Sequence, residues 1–186
     1  MATWVWIVIV AAVVIVLLLA AWTVASRRRS TQLKGRFGPE YDRTVGDADS
    51  RRKAERELRE RQERRAQLDI RPLTPAARER YSGQWQTTQA RFVDDPGAAV
   101  NDADRLVQQV MRERGYPTDD FDRRAADISV DYPHIVEIYR AAHGTAVAHG
   151  QGEASTEDLR QSLVHYRSLF EELLVAEETP EHAAAS

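Results

Sequence analysis

Residues 155–174, STEDLRQSLVHYRSLFEELL, place Leu159, Leu163, Tyr166, Phe170 and Leu173 at steps of four, three, four and three. That is the period of an α-helix with one apolar face. Asp158 follows Ser155 by three positions, so the segment opens on a capping box with aspartate in the acidic place. A helix of this kind needs a surface to bury its stripe against. No stretch of the chain alternates as a half-buried strand would, so that surface is other helices and the fold is all-α.

Working back from this segment, the same punctuation recurs. Thr74-Pro75 pairs a cap with a proline in the first turn, and Ala77, Tyr81, Trp85, Thr88 and Phe92 then mark one face. Asp95-Pro96 repeats the device ahead of Val100, Ala103, Leu106, Val107, Val110 and Met111, and Gly115 with Pro117 ends that helix. Asp119 to Asp127 reads as a short acidic helix carrying Phe121 and Ala125. Pro133 starts another, with Ile135, Val136, Ile138, Tyr139 and Ala142 facing inward, ending at Gly144 or near His149. Gly150-Gln-Gly152 is a loop. Residues 70–176 are therefore expected to form a bundle of four or five helices, with Trp85 and Phe170 in a shared core. The acidic, proline-containing stretch 177–186 is expected to be a disordered tail.

Ahead of the bundle the chain changes character. Residues 27–69 hold 14 basic against 9 acidic side chains, whereas residues 70–186 hold 12 against 20. In segment 51–69, 12 of the 15 residues from Arg51 to Arg65 are charged, and Glu55 with Arg59, Glu57 with Arg61 and Glu60 with Arg64 set acid four residues before base. The expectation is a charged, solvent-exposed helical spacer. It has too few apolar positions for a coiled coil. Its interleaved glutamates and lack of stacking aromatics argue against nucleic acid. Segment 27–50 is a basic juxtamembrane stretch in which Leu33, Phe37, Tyr41 and Val45 recur every four residues, interrupted by Gly35 and Gly38-Pro39. Pro39 marks the start of a short helix.

The first 26 residues carry no charged side chain, and from Trp4 to Ala25 all 22 residues are apolar except Thr23. At ~1.5 Å per residue such a helix is roughly 33 Å long, enough for a hydrocarbon core of ~30 Å. Residues 3–26 are read as a single transmembrane helix. Trp4 and Trp6 at one end and Trp22 at the other suit the two interfaces, and Arg27, Arg28 and Arg29 complete the membrane-interface set. A cleaved signal peptide is the competing reading, with Val24-Ala25-Ser26 as its cleavage site. No Lys or Arg precedes the run, however, and five follow it by Arg36. Basic flanks stay cytoplasmic, so a single-pass cell-membrane protein with a cytoplasmic C-terminal domain is expected. Setting this topology suffices to explain the arginines, although they are also able to hold anionic headgroups.

The chain has no cysteine, which excludes disulfides, thiolate metal sites and cysteine nucleophiles. No two of His134, His143, His149, His165 and His182 stand three or four apart, so no helical metal pair arises. His134, His143 and His165 are the set that a bundle could still bring together. The acidic clusters at 94–95, 102–104 and 119–122 sit in first turns and lack calcium-loop spacing. With no glycine-rich phosphate loop and no nucleophile elbow, no catalytic residue, cofactor or metal is assigned.

Three strings, Arg36-Phe-Gly-Pro-Glu-Tyr-Asp-Arg-Thr-Val45, Phe92-Val-Asp-Asp-Pro96 and Arg114-Gly-Tyr-Pro117, resemble an uncharacterised group of actinobacterial proteins with one N-terminal anchor. The resemblance extends over most of residues 27–175 and brings no activity or site residue with it. The expected function is a membrane-tethered helical module for protein–protein interaction or scaffolding. Its partners would be the lipid bilayer and a protein, a second copy of the chain among the possibilities. The rivals are an enzyme or metal-binding protein using His and Asp side chains of the bundle, and a secreted protein.

Overall fold

The computed structural model describes residues 3–175, and the side chains of all of these except positions 3, 5, 7, 10–13, 19, 22 and 24–26. The side chains of Trp22 and Val24-Ala25-Ser26 and the expected tail at 177–186 thus lie outside the described residues. The elements are α1 (Thr3–Phe37), α2 (Pro39–Asp47), α3 (Arg51–Ala66), α4 (Pro75–Arg91), α5 (Pro96–Arg114), α6 (Phe121–Asp131), α7 (Val136–Gly150) and α8 (Thr156–Val175). The described residues contain no strand, and the all-α class holds. Two compact units divide within α3, Met1–Leu58 and Arg59–Ser186.

In the first unit, α1 passes through Gly35 without a break, since one glycine costs a solvated helix only ~1 kcal/mol. It stops at Gly38, whose φ of 49° is a conformation that favours glycine, and Pro39 opens α2 with a φ already set for helix. The four-residue stripe that spans this turn is buried at Leu33, Phe37 and Tyr41, with Val45 half-buried. Ser50 Oγ accepts the Lys53 amide at 3.3 Å and caps α3.

In the second unit the caps expected at Thr74, Asp95 and Ser155 form, and Asp120 adds a further one. Thr74 accepts the Ala77 amide at 3.2 Å, Asp95 the Ala98 amide at 2.9 Å and Asp120 the Arg123 amide at 2.8 Å. Ser155 and Asp158 exchange bonds, Ser155 N–H donating to the carboxylate at 2.9 Å and Asp158 N–H to Ser155 Oγ at 3.2 Å. Gly115 ends α5 at φ 100°, and a Cβ there would lie 2.3 Å from the Asp69 carbonyl. α5 and α7 both pack on α8, α4 packs on α5, and α6 on α7. Their stripes form one core, in which Trp85 of α4 stacks on Phe170 of α8 at 4.8 Å between centroids and Tyr139 meets Tyr166 edge-on at 6.2 Å. Pro133 lies in a turn, not in the helix, and α7 runs through Gly144 to Gly150.

One expectation needs correcting. α3 is exposed on one face only, because Ala54, Leu58 and Arg61 are buried and Arg65 is half-buried. In the second unit, Arg61 Nη1 donates to Ser129 Oγ at 3.5 Å and Arg65 Nε to Asp131 Oδ2 at 2.5 Å, while Arg64 stands 3.6 Å from the buried Asp127 carboxylate. Counting only Ala54, Leu58 and Leu68 as apolar overlooks arginine stems, which cover apolar surface while the guanidinium reaches a carboxylate. The stripe 54–58–61–65 is helical in period, but its last two members are charged.

Candidate functional site

Two polar clusters and one charged flank carry the chemistry of this chain. The flank is the set expected at a membrane interface. Trp4 and Trp6 are 63% and 66% exposed, and Arg27, Arg28 and Arg29 are exposed on the same unbroken helix. Trp22 has no described side chain. Among the described residues no helix is long and apolar enough to cross a membrane. Ten of the twelve undescribed side chains fall inside the run of Trp4–Ala25, so its apolar continuity is a property of the sequence.

The first polar cluster begins one residue beyond these arginines. Ser30 Oγ lies 3.2 Å from Tyr41 Oη and donates to Glu55, and Tyr41 Oη donates to the same Glu55 oxygen at 2.9 Å. Arg51 closes the ring, Nε reaching Tyr41 Oη at 2.9 Å and Glu55 at 3.0 Å, and Nη2 reaching Ser30 Oγ at 2.5 Å. Partial burial pushes the Glu55 carboxyl up, but bonds from Ser30, Tyr41 and Arg51 outweigh it and hold Glu55 below the usual carboxylate range. The ring ties α1, α2 and α3 together.

The second cluster lies among α5, α6, α7 and α8. Arg124 is buried, donating from Nε to Tyr139 Oη at 2.6 Å and from Nη1 to the Thr118 carbonyl at 2.8 Å. Phe121 stacks on His143 at 3.6 Å and leans on Tyr139 at 5.1 Å. Asp104 accepts from Gln108 at 2.6 Å through one oxygen. Its other oxygen, His143 Nδ1 and Tyr166 Oη are buried without a well-formed hydrogen bond. Burial pushes the Tyr139 and Tyr166 phenols far above their ordinary range, and nearby Asp104 adds to the rise at Tyr166. Burial lowers His143 below a free imidazole, against the opposing pull of Asp104. Both phenols and the imidazole are therefore neutral at pH 7.

The histidines weighed as a metal set stand in different settings. His134 faces Glu172 at 3.5 Å, His143 lies on Phe121, and His165 meets Gln161 at 2.9 Å. His149 covers Gly97, where a Cβ would meet its Nε2 at 2.1 Å, and His182 lies outside the described residues. Among the described residues no three His, Asp or Glu side chains are grouped to hold a metal ion. A polar groove of about 290 Å³ between α4 and α5 is lined by residues including Gln84, Thr87, Asp102 and Arg105.

Sequence reading missed the second cluster. Its signal was present: Arg124 falls three residues after Phe121 on the buried stripe of α6, and His143 follows Tyr139 by four. A charged residue at a core position of an amphipathic helix needs buried partners.

Comparisons with known protein families, with characterised proteins and with solved structures return no match.

Proposed function

We propose that the chain is a membrane-tethered helical interaction module, its apolar run crossing the cell membrane and its C-terminal part engaging a protein partner in the cytoplasm. The observation that supports this reading is the run of 22 residues, apolar except for Thr23, that meets three exposed arginines on one helix. In lipid every backbone group must bond internally, and a helix does this with β-branched residues as well. The one-sided basic flank favours a cytoplasmic C-terminus. Membership of the actinobacterial single-anchor group belongs to the same proposal and rests on residues 36–45, 92–96 and 114–117 alone.

Protease added to intact spheroplasts tests the topology. The C-terminal part is expected to resist digestion, and to become sensitive only when the membrane is permeabilised. Cleavage from outside, or release of a product shortened near Ala25 into the medium, would favour the secreted reading. Crosslinking in membranes followed by mass spectrometry is expected to return a partner attached through the bundle.

The open polar atoms of Asp104, His143 and Tyr166 favour one second reading, a bundle that handles a proton or a small polar ligand. Small polar ligands that shift the His143 proton resonances would support it.

A further inference from the structure

The acids of the first unit are arranged unevenly around its bases. Residues 27–58 hold ten basic and six acidic side chains. Lys34 pairs with Asp42 at 2.9 Å, Arg43 lies 3.6 Å from Glu40 and 3.5 Å from Asp47, Lys53 pairs with Asp49 at 2.7 Å, and Arg51 with Glu55 at 3.0 Å. These carboxylates are all matched to bases at position 34 or later. Among the described residues Arg27, Arg28 and Arg29 have no acidic partner and are exposed. Arg36 and Arg56, also exposed, have no acidic partner among the described residues either, but only Arg27, Arg28 and Arg29 are consecutive and adjoin the apolar run.

Helical geometry then fixes how these cations are presented. At ~100° per residue three consecutive arginines sweep roughly 200° of the helix circumference. The remaining side of α1 carries Ser30, Leu33 and Phe37, all buried. The ring of Ser30, Tyr41, Arg51 and Glu55 holds α2 and α3 on that side. Because Arg51 is bonded to Ser30, the start of α3 sits one residue past the arginines and leaves their arc open.

We propose that Arg27, Arg28 and Arg29 form a binding site for the anionic headgroups of phospholipids in the leaflet that they face. The proposal rests on the membrane reading above and adds lipid selectivity to it. Topology alone requires only that these residues be basic; a site requires that their charge be free of internal carboxylates, and here it is. Guanidinium is also suited to phosphate, since its planar fork donates two parallel bonds to one phosphate.

The test uses the full chain reconstituted in vesicles of phosphatidylcholine and phosphatidylglycerol, roughly three to one, so that the surface is anionic. Alkaline carbonate extraction reads insertion, and electron paramagnetic resonance of spin-labelled phosphatidylglycerol or phosphatidylcholine reads which lipid the protein immobilises. Each basic residue near an anionic surface is worth roughly a fivefold gain, so the native chain is expected to prefer phosphatidylglycerol severalfold. The combined Arg27→Gln, Arg28→Gln, Arg29→Gln variant is expected to stay inserted and lose that preference, and the corresponding lysine variant to keep much of it. Insertion without preference in the native chain, or a preference that survives in the glutamine variant, overturns this inference and leaves the membrane reading standing. Extraction of the native chain by carbonate overturns both.

Discussion

The two units use the same polar vocabulary, arginine, tyrosine and a carboxylate, and use it differently. In the first, Ser30, Tyr41, Arg51 and Glu55 bond one another around a closed ring that joins three helices. In the second, Arg124 and Tyr139 are satisfied, but Asp104, His143 and Tyr166 each bury a polar atom with no well-formed bond. Past the apolar run the first unit buries few apolar side chains, and polar contacts join its helices there. The bundle has a large apolar core and tolerates an incomplete network inside it.

That contrast breaks most readily at the bundle core. Trp85→Ala and Phe170→Ala are each expected to destabilise the bundle by ~3 to 5 kcal/mol, read as a lower denaturant midpoint. Their rings touch, so the double variant is expected to cost less than the two single losses added together. Melting left unchanged in either variant would mean that the stripe serves docking and not stability. Next in size is the closed ring. Glu55→Gln is expected to raise amide exchange in α2 by an amount equivalent to ~1 to 3 kcal/mol, because the amide oxygen still accepts from Arg51, Tyr41 and Ser30 but no longer carries the charge that strengthens those bonds.

The open cluster supplies the opposing case. Asp104→Asn is expected to change bundle stability by about 1 kcal/mol or less, since the amide still offers an oxygen to Gln108 and Tyr166. A loss as large as that of Glu55→Gln would erase the distinction between the units. The smallest effect is a pH dependence. Burial holds His143 below the ordinary imidazole value of about 6.5, so the folded bundle favours the neutral ring. Its contribution is full above pH ~6.5 and is lost as the pH falls through the lower folded value. His143→Gln is expected to flatten that part of the stability profile, and identical profiles for the two proteins would remove His143 from the account.

Helix stripes and caps were legible because each is a local signal. Thr74, Asp95 and the Ser155–Asp158 pair announce helix starts within four residues, and the stripes of α4, α5 and α8 are buried where their period places them. What stayed hidden depends on charged residues acting over long separations. Arg65 meets Asp131 and Arg61 meets Ser129 across more than sixty residues, and nothing in the local pattern of α3 distinguishes a guanidinium bound for solvent from one bound for a carboxylate. The residues expected at a membrane interface, Trp4, Trp6, Trp22 and Arg27 to Arg29, are read from composition alone. The uneven matching of acids and bases that singles out Arg27 to Arg29 needs the folded turn at Gly38, which brings Asp42 back to Lys34.

Gly35 stands between the apolar run and the turn at Gly38, yet α1 carries on through it to Phe37. A continuous helix resists both twisting and bending, and the eleven residues from Arg27 to Phe37 make a stiff shaft of roughly 15 Å. Phe37 at the end of that shaft is wholly buried, and Ser30 and Leu33 are gripped along its length. Torque or tilt applied to the N-terminal part of α1 therefore reaches α2 and the start of α3 as rigid rotation, with no slack to absorb it.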